Sequence, residues 1–227
     1  MPKIKRRKAL RRKISAKTAK TAKKPRKKIV FIVVDGMADL PVGTKTPLSA
    51  ARKPNMDWLA KNGVCGELLS MEKNVWDKQV VAGSHLCNIA LLGYNVKNMY
   101  APRGPLEAVG TDLPYKEGHL ALRCNFATVD KELTVLDRRA GRNVTGLDEL
   151  AKYINTHVDI GVPFIFKRTF EHRAVLIIKE KLSDKITTND PHGEGQRAAA
   201  VQPLSSESKK TAELVQDFVE KARNVIE

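Results

Sequence analysis

Cysteine is scarce in this 227-residue chain and nowhere paired: Cys65, Cys87 and Cys124 lie far apart, odd in number and without CxxC spacing. Neither a zinc-finger ligand set nor a disulfide framework fits that pattern, and a reduced cytoplasmic setting is the default. The five histidines, at 85, 119, 157, 172 and 192, are equally scattered. With no HxH or HExxH pair, they supply no self-contained metal site. No run approaches the ~20 apolar residues of a membrane-spanning helix. The apolar run after the basic N-terminus is short and broken by Asp35, which argues against a secretory signal.

Acidic residues are missing altogether from residues 1–28, which hold fifteen of the 41 Lys and Arg. The remaining 26 cations face all 25 acidic side chains, so residues 29–227 are close to neutral and the net charge of +16 belongs to a tail. With little to bury and like charges repelling, this tail is expected to be disordered. Four readings of it stay open: non-specific binding of a polyanion such as nucleic acid, a specific RNA or ribosome partner, a misassigned start codon, or no role.

With 42% hydrophobic and 29% charged residues, the rest can bury one large or two small domains. Ile29 to Val34 is a six-residue apolar run ending at Asp35 and Gly36. It predicts a fully buried strand that presents a carboxylate at its C-terminal end. Asp39 to Pro47 is punctuated as a loop. Asn55 to Asn62 predicts a short helix, with Met56, Leu59 and Ala60 on one face and Gly63 as its stop. Val64 to Leu69 predicts a second strand, completing a βαβ-like opening. Gly83-Ser84 then leads into an apolar helix ending at Gly93, and Met99 to Pro114 looks irregular.

The texture changes near Gly118. Leu120–Val129 and Leu133–Asp137 predict paired strands around Asp130-Lys131-Glu132. Thr145 to Val158 predicts an amphipathic helix with Thr145 as its N-cap. Pro163–Thr169 and Arg173–Lys179 predict another strand pair. A final helix, Ser206 to Ile226, gathers Val215, Phe218, Val219, Ala222 and Ile226 on a face that needs a partner. The expected organisation is a tail (1–28), the first half of an α/β domain (29–117), a smaller α+β domain (118–205) and a helix returning to the larger domain (206–227). Only two strands are predicted in the larger domain, so the lone chain should expose apolar surface and self-associate.

Two groups of residues have chemical potential. A helix N-terminus favours a phosphate or an attacking alkoxide, so Ser84 is a candidate nucleophile. Asp35 is a hard oxygen ligand of the kind a divalent metal takes. The plainer alternatives are an N-cap for Ser84 and a turn former for Asp35. Arg123, Arg138, Arg139, Arg142 and Arg173 lie in or near strand ends, where guanidinium forks suit a small dianion; a solvated charged face is the alternative.

Several segments stand in order: Val33-Val34-Asp35-Gly36, Lys45-Thr46-Pro47-Leu48, Gly83-Ser84, Leu92-Gly93-Tyr94, Arg103-Gly104-Pro105-Leu106-Glu107-Ala108, Arg123-Cys124-Asn125-Phe126-Ala127-Thr128, Asp137-Arg138-Arg139-Ala140-Gly141-Arg142, His172-Arg173 and Leu182-Ser183-Asp184. Together they resemble the archaeal-type 2,3-bisphosphoglycerate-independent phosphoglycerate mutases of the alkaline phosphatase superfamily, over residues 29 to about 227. The resemblance implies a phosphatase-like α/β domain with an inserted α+β domain and a divalent-metal site (Mn2+, Mg2+ or Zn2+). It also implies a serine that takes a phosphoryl group from phosphoglycerate and returns it to the other hydroxyl. By position, Ser84 matches the nucleophile and a metal ligand, Asp35 a metal ligand, and Arg123, Asp137, Arg139, Arg142 and Arg173 the substrate grip.

The chain departs from that pattern in two ways. The family follows its serine with roughly Asp-Thr-Ala-His, whereas here His85-Leu86-Cys87-Asn88 follow Ser84. The family's later DxxxH and Asp-His metal ligands occur nowhere in the sequence. The expectation is therefore a split or truncated mutase, inert alone and completed by a second polypeptide. The rivals are a non-catalytic, nucleic-acid-associated descendant and another phosphatase or phosphomutase on the same scaffold.

Overall fold

The computed structural model describes residues 27–34, 36–68, 84–96, 99 and 102–227. The basic run before Lys27 and the residue Asp35 lie outside the described residues, as does Leu69 at the end of the second predicted strand. The chain divides into two compact units, residues 1–67 and 68–227.

The two strands expected before residue 70 are not found among the described residues: 29–34 and 64–68 join no ladder there. Their apolar side chains are exposed, from 52% at Val33 to 91% at Ile29 within the first run. Six apolar residues carry a demand for burial, but a central strand also needs neighbours on both edges and cover on both faces. The described residues of the first unit supply neither. Among its described residues stand two helices, α1 (Pro47–Ala50) and α2 (Pro54–Asn62). A capping box starts α1: the Ser49 N–H donates to Thr46 Oγ1 at 3.1 Å and the Thr46 N–H to Ser49 Oγ at 2.9 Å. Pro54 opens α2, the Gly63 N–H closes it on Leu59 O at 2.8 Å, and its Met56 and Leu59 stay exposed.

The second unit is built on a sheet. In chain order the α-helices and strands among its described residues are α3 (Ser84–Leu91), α4 (Arg103–Gly110), β1 (Leu120–Asn125), β2 (Thr128–Val129) and β3 (Val135–Asp137). Then follow α5 (Leu147–His157), β4 (Phe164–Arg168), β5 (Arg173–Ile178) and α6 (Lys209–Ile226). A three-stranded antiparallel sheet has the order β1-β5-β4, and β2 pairs β3 separately. The predicted continuous strand Leu120–Val129 is thus two strands. Only its end pairs with β3, while β1 pairs with β5, Arg123 opposite Val175 and Asn125 opposite Arg173. The predicted hairpin of β4 and β5 is present.

The central strand β5 explains the arrangement. Val175, Leu176, Ile177 and Ile178 are at most 1% exposed, so both faces must be covered. On one face Leu120, Ala174, Leu176, Ile178 and Phe166 pack with Ala151 and Ile154 of α5 and with Ala212, Val215, Phe218 and Ala222 of α6. The Phe218 ring lies 5.3 Å from Phe164 and 5.4 Å from Phe166, centroid to centroid. The apolar face of the last helix, expected to lack a partner, is therefore covered by this sheet at Val215, Phe218 and Ala222, while Ile226 at its end stays exposed. Thr145 is not an N-cap: α5 starts after Gly146 at φ 81°, with no side-chain cap. The Thr145 N–H is instead taken by Asn143 Oδ1 at 3.0 Å, in a turn before the helix.

On the other face Ala121, Val175 and Ile177 pack with Ala108 of α4. The segment around Gly104-Pro105 is helical rather than irregular, because a proline is tolerated in a first turn. Among the described residues no helix is long and apolar enough to cross a membrane.

Candidate active site

The face of the sheet that packs on α4 carries charge at its open end. Strand alternation puts Ala121, Arg123 and Asn125 of β1 on one side with Arg173, Val175 and Ile177 of β5. Ala121 opposite Ile177 is apolar and packed, Asn125 opposite Arg173 is polar, and Arg123 stands between them opposite Val175. Two predicted site residues, Arg123 and Arg173, are brought together in this way. The Arg123 guanidinium donates through Nη2 to Asn125 Oδ1 at 3.1 Å. Arg173 lies with its guanidinium carbon 5.8 Å from the centre of the Phe170 ring. The Nε of each is shielded from solvent without a hydrogen-bond partner among the described residues.

Helix α4 adds Arg103 and Glu107, one turn apart on one side of the helix. Thr169, at the turn between β4 and β5, donates its hydroxyl to Glu107 Oε1 at 2.6 Å. Helix α3 begins at Ser84, which is exposed, and continues with half-buried His85 and buried Leu86. The expected serine at a helix start is thus where the structure puts it.

The titrating groups report the field here. His85 is held below its ordinary value by burial, and then by the charges of Arg103 and Arg123. Arg123 is itself lowered by burial and by Arg103 and Arg173, with Glu107 opposing. Arg123 thus feels the charges of Arg103, Arg173 and Glu107 together. The His85 Nδ1 is also shielded and unpartnered among the described residues.

The other predicted residues form a neighbouring group. Asp137, Arg138, Arg139, Arg142, His192, Gly193 and Glu194 line a cleft of about 370 Å³. Its wall is a turn in which Ala140, Gly141 and Arg142 all have positive φ, at 50°, 64° and 57°. Such a run is strained for the two non-glycine residues. Asp137 Oδ1 accepts the Arg139 N–H at 2.6 Å, tightening the turn. The Arg138 fork is already filled by Asp190, at 3.0 and 2.6 Å, whereas Arg139 and Arg142 are exposed. Burial alone would raise Asp190, but hydrogen bonds from Arg138 and the His192 N–H, with the Arg138 charge, hold it low. The two groups meet electrostatically at His172, which is lowered by burial, by Arg173, and more weakly by Arg123 and Arg139.

Asp35 lies outside the described residues, so no geometry joins it to Ser84. Among the described residues no group of three His, Cys, Asp or Glu could hold a metal ion. Sequence reasoning missed Arg103, Glu107 and Thr169 as members of the site. The one available signal was the four-residue spacing of Arg103 and Glu107.

Fold and site together define a mixed α/β protein whose sheet presents an arginine cluster suited to phosphate or carboxylate. The profile of the 2,3-bisphosphoglycerate-independent phosphoglycerate mutases matches residues 60–227. The protein of that name from Methanosphaera stadtmanae is 43% identical over 204 residues, covering 87% of this chain and 49% of the relative. Mutase 1 of Methanocaldococcus jannaschii is 43% identical over 193 residues, covering 83% and 46%. A solved structure, the cofactor-independent phosphoglycerate mutase from Thermoplasma acidophilum, is 40% identical with a TM-score of 0.53, covering 61% of this chain and 38% of that one. The chain belongs to the 2,3-bisphosphoglycerate-independent phosphoglycerate mutase family. It spans about half the length of the curated relatives it matches.

Proposed function

We propose that this chain carries the phosphoryl-accepting serine and the phosphate grip of a phosphoglycerate mutase, an isomerase of glycolysis and gluconeogenesis acting in the cytoplasm. The Ser84 oxygen attacks the phosphorus of 2- or 3-phosphoglycerate, and the bond from phosphorus to the glycerate oxygen breaks. The hydroxyl proton of Ser84 leaves as the glycerate oxygen regains one. The other glycerate hydroxyl then attacks the phosphoserine, giving the isomer and restoring Ser84. Arg123 and Arg173 hold the phosphoryl group, while Asp137, Arg139 and Arg142 line the cleft that takes the rest of the substrate. What supports this, in a chain of this family, is the register of β1 and β5, which sets Arg123 and Arg173 on one face of the sheet.

Within this proposal residues 29–117 form the first half of a phosphatase-like domain and 118–205 the inserted, substrate-gripping one. The family resemblance assigns Asp35 and Ser84 to a divalent metal. The described residues do not complete such a site, and no step above is routed through one. A second polypeptide carrying DxxxH and Asp-His motifs would supply what is missing. The test is a mutase assay of the chain alone and with such a polypeptide, in manganese or magnesium. Turnover is expected only in the assembly, with loss in Ser84→Ala and a labelled phosphoserine in the native chain. Full activity in the Ser84→Ala assembly refutes the assignment.

A second reading rests on residues 1–28, with fifteen cations and no anion. This arm binds nucleic acid through phosphates, whether or not the chain catalyses. Affinity should fall steeply with salt, show little sequence preference and vanish when residues 1–28 are deleted. Salt-insensitive binding by the truncated protein would sink this second reading.

A further inference from the structure

The sheet ends at β4, on the far side of β5 from β1 and its Arg123. Along an edge strand, residues alternate between backbone that faces the sheet and backbone that faces out. Just beyond the two ends of β4, the Thr169 N–H donates to Arg173 O and Pro163 O accepts the Lys179 N–H, each at 2.9 Å. Odd-numbered positions therefore face β5, and Phe164, Phe166 and Arg168 turn their N–H and C=O groups outward. Such a row is a template for another strand.

At the middle of that row stands a side chain. Asn155, in the last turn of α5, accepts the Phe166 N–H on Oδ1 at 2.9 Å and donates through Nδ2 to Phe166 O at 2.5 Å. Nδ2 also donates to Ala151 O, one turn back, at 2.7 Å, which pins the amide in place. One donor and one acceptor given to a single residue reproduce what the opposite residue of a hydrogen-bonded antiparallel pair gives.

The other usual guards of an edge are thin here. β4 pairs with β5 without a bulge, and no proline lies within Phe164–Arg168. The strand also suits its own reverse. When two copies meet antiparallel about Phe166, each Phe166 exchanges both bonds with its counterpart, Ile165 stands opposite Lys167, and Phe164 opposite Arg168. The Arg168 charge is already met by Asp148 at 2.6 Å. Only Lys167 comes diagonally near its own copy, a small repulsion.

We propose that Asn155 plugs the outer edge of β4, and that the edge it closes is complementary to β4 of a second copy of this chain. The test compares the full native chain with Asn155→Ala, a substitution at an exposed position that favours a helix. Hydrogen exchange at the Phe166 amide, read by NMR, follows the edge, and sedimentation equilibrium follows pairing. The native amide should exchange slowly at every concentration. In dilute Asn155→Ala it should exchange about tenfold faster, as one hydrogen bond is lost. Raising the concentration should then form a dimer that the native chain lacks, and restore the protection. Adding Lys167→Gln should tighten that dimer and do nothing while Asn155 is present. Association through residues outside β4 is common to native chain and variant, and cancels in the comparison. Asn155→Gln, whose longer amide no longer meets both groups of Phe166, serves as the second variant and should shift exchange and pairing in the same direction.

A Phe166 amide that stays as slow in both dilute variants as in the native chain would overturn the plug. Fast exchange at every concentration, with no added dimer, would show that the edge does not fit itself. A dimer indifferent to Lys167→Gln would lie on another surface, and that outcome overturns the proposal as well.

Discussion

Gly104 lies directly over the backbone of Ala121: a β-carbon on Gly104 would fall 1.9 Å from the Ala121 carbonyl oxygen and 2.8 Å from the Leu122 Cα. The obstacle is backbone, which cannot swing aside. This closeness sets α4 against β1, and through α4 it fixes where Arg103 and Glu107 stand.

Gly104→Ala should therefore push α4 off the sheet. The expected cost is about 1–3 kcal/mol, the range of overpacked cores. Urea unfolding measures it. An unshifted urea midpoint would show that α4 does not need this approach.

The last helix gives a second prediction. Phe218 is 4% exposed and wedged against Phe164 and Phe166. Phe218→Ala should cost about 3–5 kcal/mol, as large aromatic truncations in cores do. If the helix instead waited for another polypeptide, the substitution would be nearly silent in the isolated chain.

Asp190 ties its loop to the strained turn through Arg138. Both partners are partly solvent-exposed, so the screened pair is worth only about 1 kcal/mol of stability. Asp190→Ala should thus change stability little but loosen the cleft beside Arg139 and Arg142. Proteolysis within residues 188–195 should quicken, and rates equal to the native chain's would contradict the tether.

Acidification provides a fourth check. His172 is buried, and its folded value sits below the ordinary 6.5 through burial, then Arg173, with Glu171 opposing and Arg123 and Arg139 adding. The unfolded chain then binds the proton first. Stability is full above about 6.5 and is lost as pH falls through the lower folded value. His85 acts in the same direction. The urea midpoint should drop between pH 7.5 and 5.5, and His172→Asn should reduce that drop. A slope identical in the variant would remove His172 from the account.

Local pattern made some of this fold legible. The amphipathic periods of α5 and α6 and the apolar run of β5 announce themselves within a dozen residues. The pairing of Leu120–Asn125 with Arg173–Ile178 does not, because alternation shows which side chains share a face but not which strand lies alongside. The turn at 130–132 attracted the wrong partner for β1. Gly104 and Pro105 looked like breakers, yet one permits close approach and the other sits in a first turn. Ile29–Val34 carries every mark of a buried strand, but burial is a relation between segments, and the described partners are absent. Motif singled out Arg123 and Arg173 separately, and only the β1–β5 register puts them on one face. It singled out neither Glu107 nor Thr169, since only the β4–β5 turn and α4 together bring them to one hydrogen bond.

The two faces of the sheet have separate mutational fates. Leu176, Ile178 and Phe218 belong to the side that holds the chain folded, whereas Arg123 and Arg173 project from the other, near its open end. Substitutions at the charged end can therefore change what the sheet presents to a ligand at little cost to folding, whereas those on the aromatic side act first on whether the sheet keeps its cover.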